Sequence, residues 1–156
     1  MTIAGVDYST RAIDIAIIPE HEEPGQPAWH RFELPGHGDA FDRTRWIRDT
    51  LPARAWWDDQ GVTAIGIEDP RGQAAGVMYR VQGGILQCLP LRLLVHPLIP
   101  SEWRSLVGLP GNASKDQVAG WACEHAHRTP GTGQDALDAY AIAVATRTLL
   151  ARQDAA

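Results

Sequence analysis

Isoleucines at positions 13, 15 and 17 recur at every second residue, the period of a strand with one buried face. With the apolar run Ile3-Ala4-Gly5-Val6 they predict an antiparallel pair, residues 2–7 and 12–18, around a turn at Tyr8-Ser9-Thr10-Arg11. A loop rich in Pro, Glu and Gly, His21 to Pro27, leads to a third strand at Trp29–Leu34. Asp39 is placed to cap a helix that runs through Thr50 and stops at Pro52, which has no N–H to continue it. The apolar run at residues 62–67 predicts a buried strand, followed by a helix over about 72–88 and a strand at Leu91–His96. A short helix follows Pro100, and the loop Gly108-Leu109-Pro110-Gly111-Asn112 comes next. Ser114 and Gln117 then have the spacing of a capping box. The last helix spans about Gln134 to Arg152, with Leu137, Ala141, Ala145 and Leu149 near one stripe. This order predicts an α/β fold in which a mixed central sheet, opened by three antiparallel strands, is flanked by helices. One domain covers residues 1–152, and residues 153–156 form a frayed tail.

Four acids interrupt this pattern where strands and helices begin or end. Asp7 follows the first apolar run, and Glu68 closes the run at 62–67. Asp135 and Asp138 are three apart at the start of the last helix, so they share a face. Each has an ordinary structural explanation taken alone. Asp7 and Glu68 border turns, and Asp135 lies where the free N–H groups of a first helical turn favour a carboxylate. Asp138 is harder to explain so, because Ala136, Leu137, Ala139, Tyr140, Ala141 and Ile142 surround it, and an unpaired acid among apolar residues is costly. Brought together, the four would raise one another's pKa values and call for cations. Carboxylate oxygens suit hard ions such as Mg²⁺ or Mn²⁺, and two such ions serve phosphodiester hydrolysis without a side-chain nucleophile.

Composition limits the alternatives. The chain of 156 residues is long enough for one substantial core, and no apolar run is long enough to span a membrane. Nothing marks export, and two cysteines, Cys88 and Cys123, make no disulfide framework, which points to a reduced, cytoplasmic setting with both thiols packed in helices. His125 and His127 are two apart on an expected helix, point different ways and are not a ligand pair. The net charge of −5 opposes non-specific binding to nucleic acid, although four of the negative charges belong to the proposed metal site. Any DNA contact must come from a local basic patch. Lys115 is the only lysine, and Arg71, Arg80, Arg92 and Arg104 are the candidate phosphate contacts.

The segments Gly5-Val6-Asp7, Gly66-Ile67-Glu68, Ser114-Lys115-Asp116-Gln117-Val118 and Asp135-Ala136-Leu137-Asp138-Ala139-Tyr140-Ala141-Ile142-Ala143 resemble, in order and spacing, the RuvC family of Holliday-junction resolvases. The resemblance covers nearly the whole chain and implies an RNase H-like fold. It implies that Asp7, Glu68, Asp135 and Asp138 bind two Mg²⁺ or Mn²⁺ ions, and that Lys115 is a catalytic and DNA-contacting residue beside Arg71 and Arg104. It further implies a homodimer that nicks both sides of a four-way DNA junction. Small size and arginine-dominated basicity suggest a bacterial or bacteriophage member, at work in the bacterial cell or phage-infected host.

Two departures bear on mode of action. Tyr8-Ser9 stands where the family has Pro-Gly, and Asp69-Pro70-Arg71-Gly72 follows Glu68 without the family's wedging Phe, the next aromatic being Tyr79. The small-residue stretch Ala74-Ala75-Gly76-Val77 suits packing against a second subunit or against the sheet. Alternative readings are a YqgF-like nuclease acting on RNA, and a flap or branched-DNA nuclease without four-way specificity. An actin-like or sugar-kinase ATPase would need a second domain and phosphate loops. A non-catalytic module would leave four acids with nothing to neutralise them.

Overall fold

The computed structural model describes residues 2–19, 27–36, 38–72, 75–126 and 133–156. The expected loop over residues 21–26 and the expectation for His127 lie outside them. Strands β1 (Thr2–Tyr8), β2 (Ala12–Pro19) and β3 (Ala28–Glu33) form an antiparallel meander. Helices α1 (Ala40–Thr50) and α2 (Arg54–Asp59) lead into β4 (Val62–Glu68), which pairs parallel to β1. Helix α3 (Ala75–Cys88) leads to β5 (Leu94–Leu98), parallel to β4, and the five strands lie in the order β3-β2-β1-β4-β5. Helices α4 (Pro100–Leu106), α5 (Lys115–His125) and α6 (Gln134–Asp154) complete the chain. This is the mixed sheet with three leading antiparallel strands that the sequence predicts.

The strand period divides the side chains between two faces. Val6, Ile13, Ile15, Ile17, Ile65 and Ile67 join Ile47 of α1, Trp57 of α2 and Val81 and Ile85 of α3 in one core. Ile3, Ala16, Ile18 and Ala64 point the other way, toward Ala139, Tyr140 and Ala143 of α6. A third cluster joins Leu98, Trp103 and Val118 to Ile142 and Ala145. Both predicted caps are present: Asp39 accepts from the N–H groups of Phe41 and Asp42, and Ser114 forms the capping box with Gln117.

Three boundaries differ from expectation. Helix α2, six residues between Pro52 and β4, is not among the expected elements, being too short to show a helical period; burial of Trp57 holds it in place. The strand expected at Leu91–His96 starts at Leu94, because Leu91 is 95% exposed and Leu93 closes a turn onto the Pro90 carbonyl. The last helix continues to Asp154, and α3 is described only from Ala75, after Gly72 turns with φ +84°. Cys88 and Cys123 are free thiols in α3 and α5, as expected.

Candidate active site

Two glycines determine how closely α6 approaches the sheet. Gly5 and Gly66 are register partners in the parallel β1–β4 ladder. A Cβ on Gly5 would lie 2.0 Å from the Ala139 carbonyl oxygen and 2.3 Å from the Ala143 nitrogen; on Gly66 it would lie 2.0 Å from Thr146 Oγ1. At Gly5 backbone therefore meets backbone, and at Gly66 the strand lies against the Thr146 and Ile142 side chains, contacts that only glycine permits. Two residues further along each strand, on the same face, come Asp7 and Glu68. The helix runs back along the strands, so its first turns, bearing Asp135 and Asp138, reach the strand ends where these two acids stand.

The electrostatics show the convergence. Asp7 is held well above the usual carboxylate range, by burial first and then by repulsion from Glu68, Asp138 and Asp135; the Tyr8 backbone N–H opposes this. Glu68 is raised by burial, against a hydrogen bond from the Trp103 indole and the positive charges of Arg104 and Lys115. Asp138 is also raised by burial, opposed by a hydrogen bond from Gln134 and by Lys115 and Arg104. Burial thus outweighs the mutual repulsion expected from sequence. The acids lie within reach of one another's charge, and Lys115 and Arg104 are cations that face Glu68 and Asp138.

Three of the four carboxylates are turned onto protein groups. Trp103 Nε1 donates to Glu68 Oε2 at 3.2 Å, Gln134 Nε2 donates to Asp138 Oδ1 at 2.8 Å, and Arg31 lies 3.8 Å from Asp135. Among the described residues no group of three or more His, Cys, Asp or Glu side chains is arranged to hold an ion as it stands. The donor set nevertheless fits a hard divalent ion: it is all oxygen, and among the described residues no side chain donates to Asp7.

A fifth acid was not singled out from sequence. Asp14 pairs with Asp7 across the β1–β2 hairpin and is only 2% exposed. Burial raises its pKa although Arg31 donates to it at 2.7 Å. Arg31 also binds Glu33 at 2.7 Å, so one guanidinium serves three acids on the rim of a groove of about 520 Å³ lined by Trp29, Gln134 and Asp135. The available signal is an acid inside the Ile13-Asp14-Ile15 alternation, on the same face as Asp7 in a hairpin whose turn fixes the register.

The candidate phosphate contacts separate into two groups. Lys115 opens α5 in the exposed first turn, and the Arg104 guanidinium lies 4.9 Å from the centre of the Trp103 ring. Both face the acids. Arg71 lies beyond Glu68, exposed and tied to Asp69 at 2.7 Å, while Tyr79 Oη donates to the other oxygen of Asp69. Arg92 is structural, bound to Asp58 and to the Val62 carbonyl.

The chain has the fold of Thermus thermophilus RuvC, with a TM-score of 0.75 at 15% sequence identity, covering 98% of this chain and 97% of that one. T. thermophilus RuvC in complex with a Holliday junction substrate matches equally, at TM-score 0.75 and 14% identity, covering 97% and 96%. No protein-family model and no curated protein matches the sequence. The likeness is one of fold, and it extends over essentially the whole chain.

Proposed function

We propose that the protein is a divalent-metal-dependent endodeoxyribonuclease that resolves four-way DNA junctions by paired nicks, acting as a homodimer. The observation that carries this is the convergence of Asp7, Glu68, Asp135 and Asp138 at one end of the sheet, within a fold shared end to end with RuvC, one structure of which holds a Holliday junction. Asp7, Glu68 and Asp138 would hold Mg²⁺ or Mn²⁺, with Asp135 at the outer edge; a pair of such ions supplies an activated water and stabilises the leaving oxygen. Asp7 is desolvated and, among the described residues, receives no side-chain hydrogen bond, so it has much to gain from a cation. Lys115 and Arg104 lie where positive charge would hold a phosphate against the acids, Lys115 as a point charge and Arg104 as a planar fork. Arg71 is a more distant phosphate contact that must first exchange its ion pair with Asp69. Two nicks related by a two-fold axis need two such sites in the same relation, which a symmetric dimer supplies.

A narrower second reading is a nuclease for flaps or other branched DNA without four-way specificity, favoured by the absence of an aromatic residue directly after Glu68 and by the acidic net charge. One assay separates the readings: labelled four-way, three-way, flap and linear duplex DNA, and a structured RNA, each with Mg²⁺ or Mn²⁺. The expected result is paired nicking of the four-way junction, reduced a hundredfold or more, on the order of several kcal/mol of transition-state stabilisation, in Asp7→Asn, Glu68→Gln and Asp138→Asn. Cleavage at the wild-type rate by any of these variants would remove that residue from the site. Equal cutting of all DNA forms, or cutting of RNA alone, would replace the resolvase reading, and a strictly monomeric protein by sedimentation would exclude the paired-nick scheme.

A further inference from the structure

Glu68 is held from both sides of the sheet. On the face of α1 and α3, its main-chain carbonyl accepts from Tyr8 Oη at 2.9 Å and from Gln82 Nε2 at 3.0 Å. On the other face, its carboxylate accepts from Trp103 Nε1 at 3.2 Å. Trp103 is fully buried, packed in α4 with Leu98, Val118 and Ile142, so the donor cannot swing away. Oε2 is thereby engaged, and among the described residues no protein donor reaches Oε1.

We infer that Trp103 is a positioning residue for metal binding: its buried indole N–H fixes Glu68 Oε2, so that Glu68 presents Oε1 alone, as a one-oxygen ligand, toward Asp7 and Asp138. This rests on the metal-dependent reading above. The donor type supports it. An indole N–H is neutral and does not titrate near neutral pH, so it orients the carboxylate without competing with a cation as Lys or Arg would. It also satisfies a carboxylate oxygen that burial would otherwise leave unpaired. Hydrogen-bonding partners behind a metal ligand orient it in this way, and their loss lowers metal affinity by about 10–100-fold.

The test is Mn²⁺ binding to the full chain by calorimetry, without DNA or turnover. Trp103→Phe keeps a ring in the core and removes the donor, along with some of the ring volume beneath Arg104; Mn²⁺ affinity is expected to fall about 10–100-fold while circular dichroism stays unchanged. In a Glu68→Gln background, Trp103→Phe is expected to cause no further loss, because the donor acts only through Glu68. An additive loss in the double variant would mark a general packing effect and overturn the inference, as would unchanged affinity in folded Trp103→Phe. If Trp103→Phe does not fold, the indole N–H resonance of Trp103 in the wild type, assigned through its contacts to Leu98 and Val118, decides. It is expected to move upfield in Glu68→Ala, and a resonance indifferent to that change overturns the inference. Wild-type protein that binds no Mn²⁺ refutes the metal-dependent reading itself, a different outcome from normal binding that ignores Trp103.

Discussion

The two faces of the sheet solve opposite problems. Toward α1, α2 and α3 the strands present Val6, Ile13, Ile15, Ile17, Ile65 and Ile67, and the helices are kept at a distance by the volume of these side chains. Each fully buried branched residue there contributes roughly 1.5–3 kcal/mol of transfer free energy. Toward α6 the strands present Gly5, Ala16, Ala64 and Gly66, and at Gly5 the helix backbone rests on the strand backbone. That face gives up apolar volume for proximity. Proximity is what brings Asp135 and Asp138 within electrostatic reach of Asp7 and Glu68. One face supplies cohesion and the other sets the geometry of an acid cluster.

The contrast is broken most severely at Gly5. Gly5→Ala places a methyl against main-chain atoms of Ala139 and Ala143, which cannot turn aside as a side chain can. We expect a loss of about 3 kcal/mol or more, the upper range for overpacking, in urea unfolding. Ile15→Val on the opposite face, equally buried, is expected to cost only about 0.5–1.5 kcal/mol. Equal costs at the two positions would mean that α6 can lift from the sheet and that close approach does not define the site.

A second effect distinguishes the acid cluster from a merely polar edge. Mn²⁺ or Mg²⁺ at a hundredfold excess over its dissociation constant is expected to stabilise the native state by about 2.7 kcal/mol, seen as a rise in melting temperature. Asp138→Asn removes one buried, repelling carboxylate, so it should melt higher than wild type without metal and respond less to metal. A wild-type melting curve indifferent to metal, together with an unstable Asp138→Asn, would make Asp138 a structural acid.

The same contrast governs what could be read from the sequence. The isoleucine alternation declares the cohesive face outright, and the capping residues Asp39 and Ser114 mark their helices because each acts within three residues. The four acids are visible as charges at the ends of apolar runs. What surrounds them is not: Trp103 lies 35 residues from the carboxylate it binds, and Arg31 reaches Asp14 across a strand pair. Such contacts depend on how elements stack, to which local periodicity is blind. Leu91 and Trp57 depart in opposite directions, an apolar residue of an expected strand left in solvent and a buried one in a helix that no local pattern announces. In both, tertiary packing overrode local pattern.

Arg31 tests whether the charges on the α6 side are compensated among themselves. Its loss leaves Asp14, with a side chain 3% exposed, without its cation, while Arg31 itself is 44% exposed and partly screened. Arg31→Met is therefore expected to destabilise by about 1–3 kcal/mol, toward the lower figure because the pair is open on one side. Asp14→Leu added to Arg31→Met should recover much of that loss, since the cost lies in the orphaned acid. No recovery would mean that Arg31 stabilises by packing along the groove and not by charge.

The smallest effect concerns protons. Asp7, Glu68 and Asp138 all have folded-state pKa values above the ordinary carboxylate range, chiefly through burial. Over the interval between the ordinary and the raised values, the native state therefore holds more protons than the unfolded chain, and by linkage stability falls as pH rises through it. Their favourable contribution is complete below the unfolded pKa and is lost on passing the folded value. Without divalent metal, unfolding free energy should thus increase as pH is lowered through that interval, each such group adding at most about 1.4 kcal/mol per pH unit. Asp7→Asn, which cannot ionise, should flatten the dependence, because burial and three neighbouring acids hold Asp7 above its ordinary range. Saturating Mn²⁺ should reverse the slope, since a bound cation favours the ionised carboxylates and protons then compete with it. Conversely, Ile15→Val on the cohesive face should shift the whole curve without changing its slope. Urea unfolding across this pH range, with and without Mn²⁺, measures all of these; an Asp7→Asn slope equal to that of wild type would show that Asp7 is not strained by its neighbours.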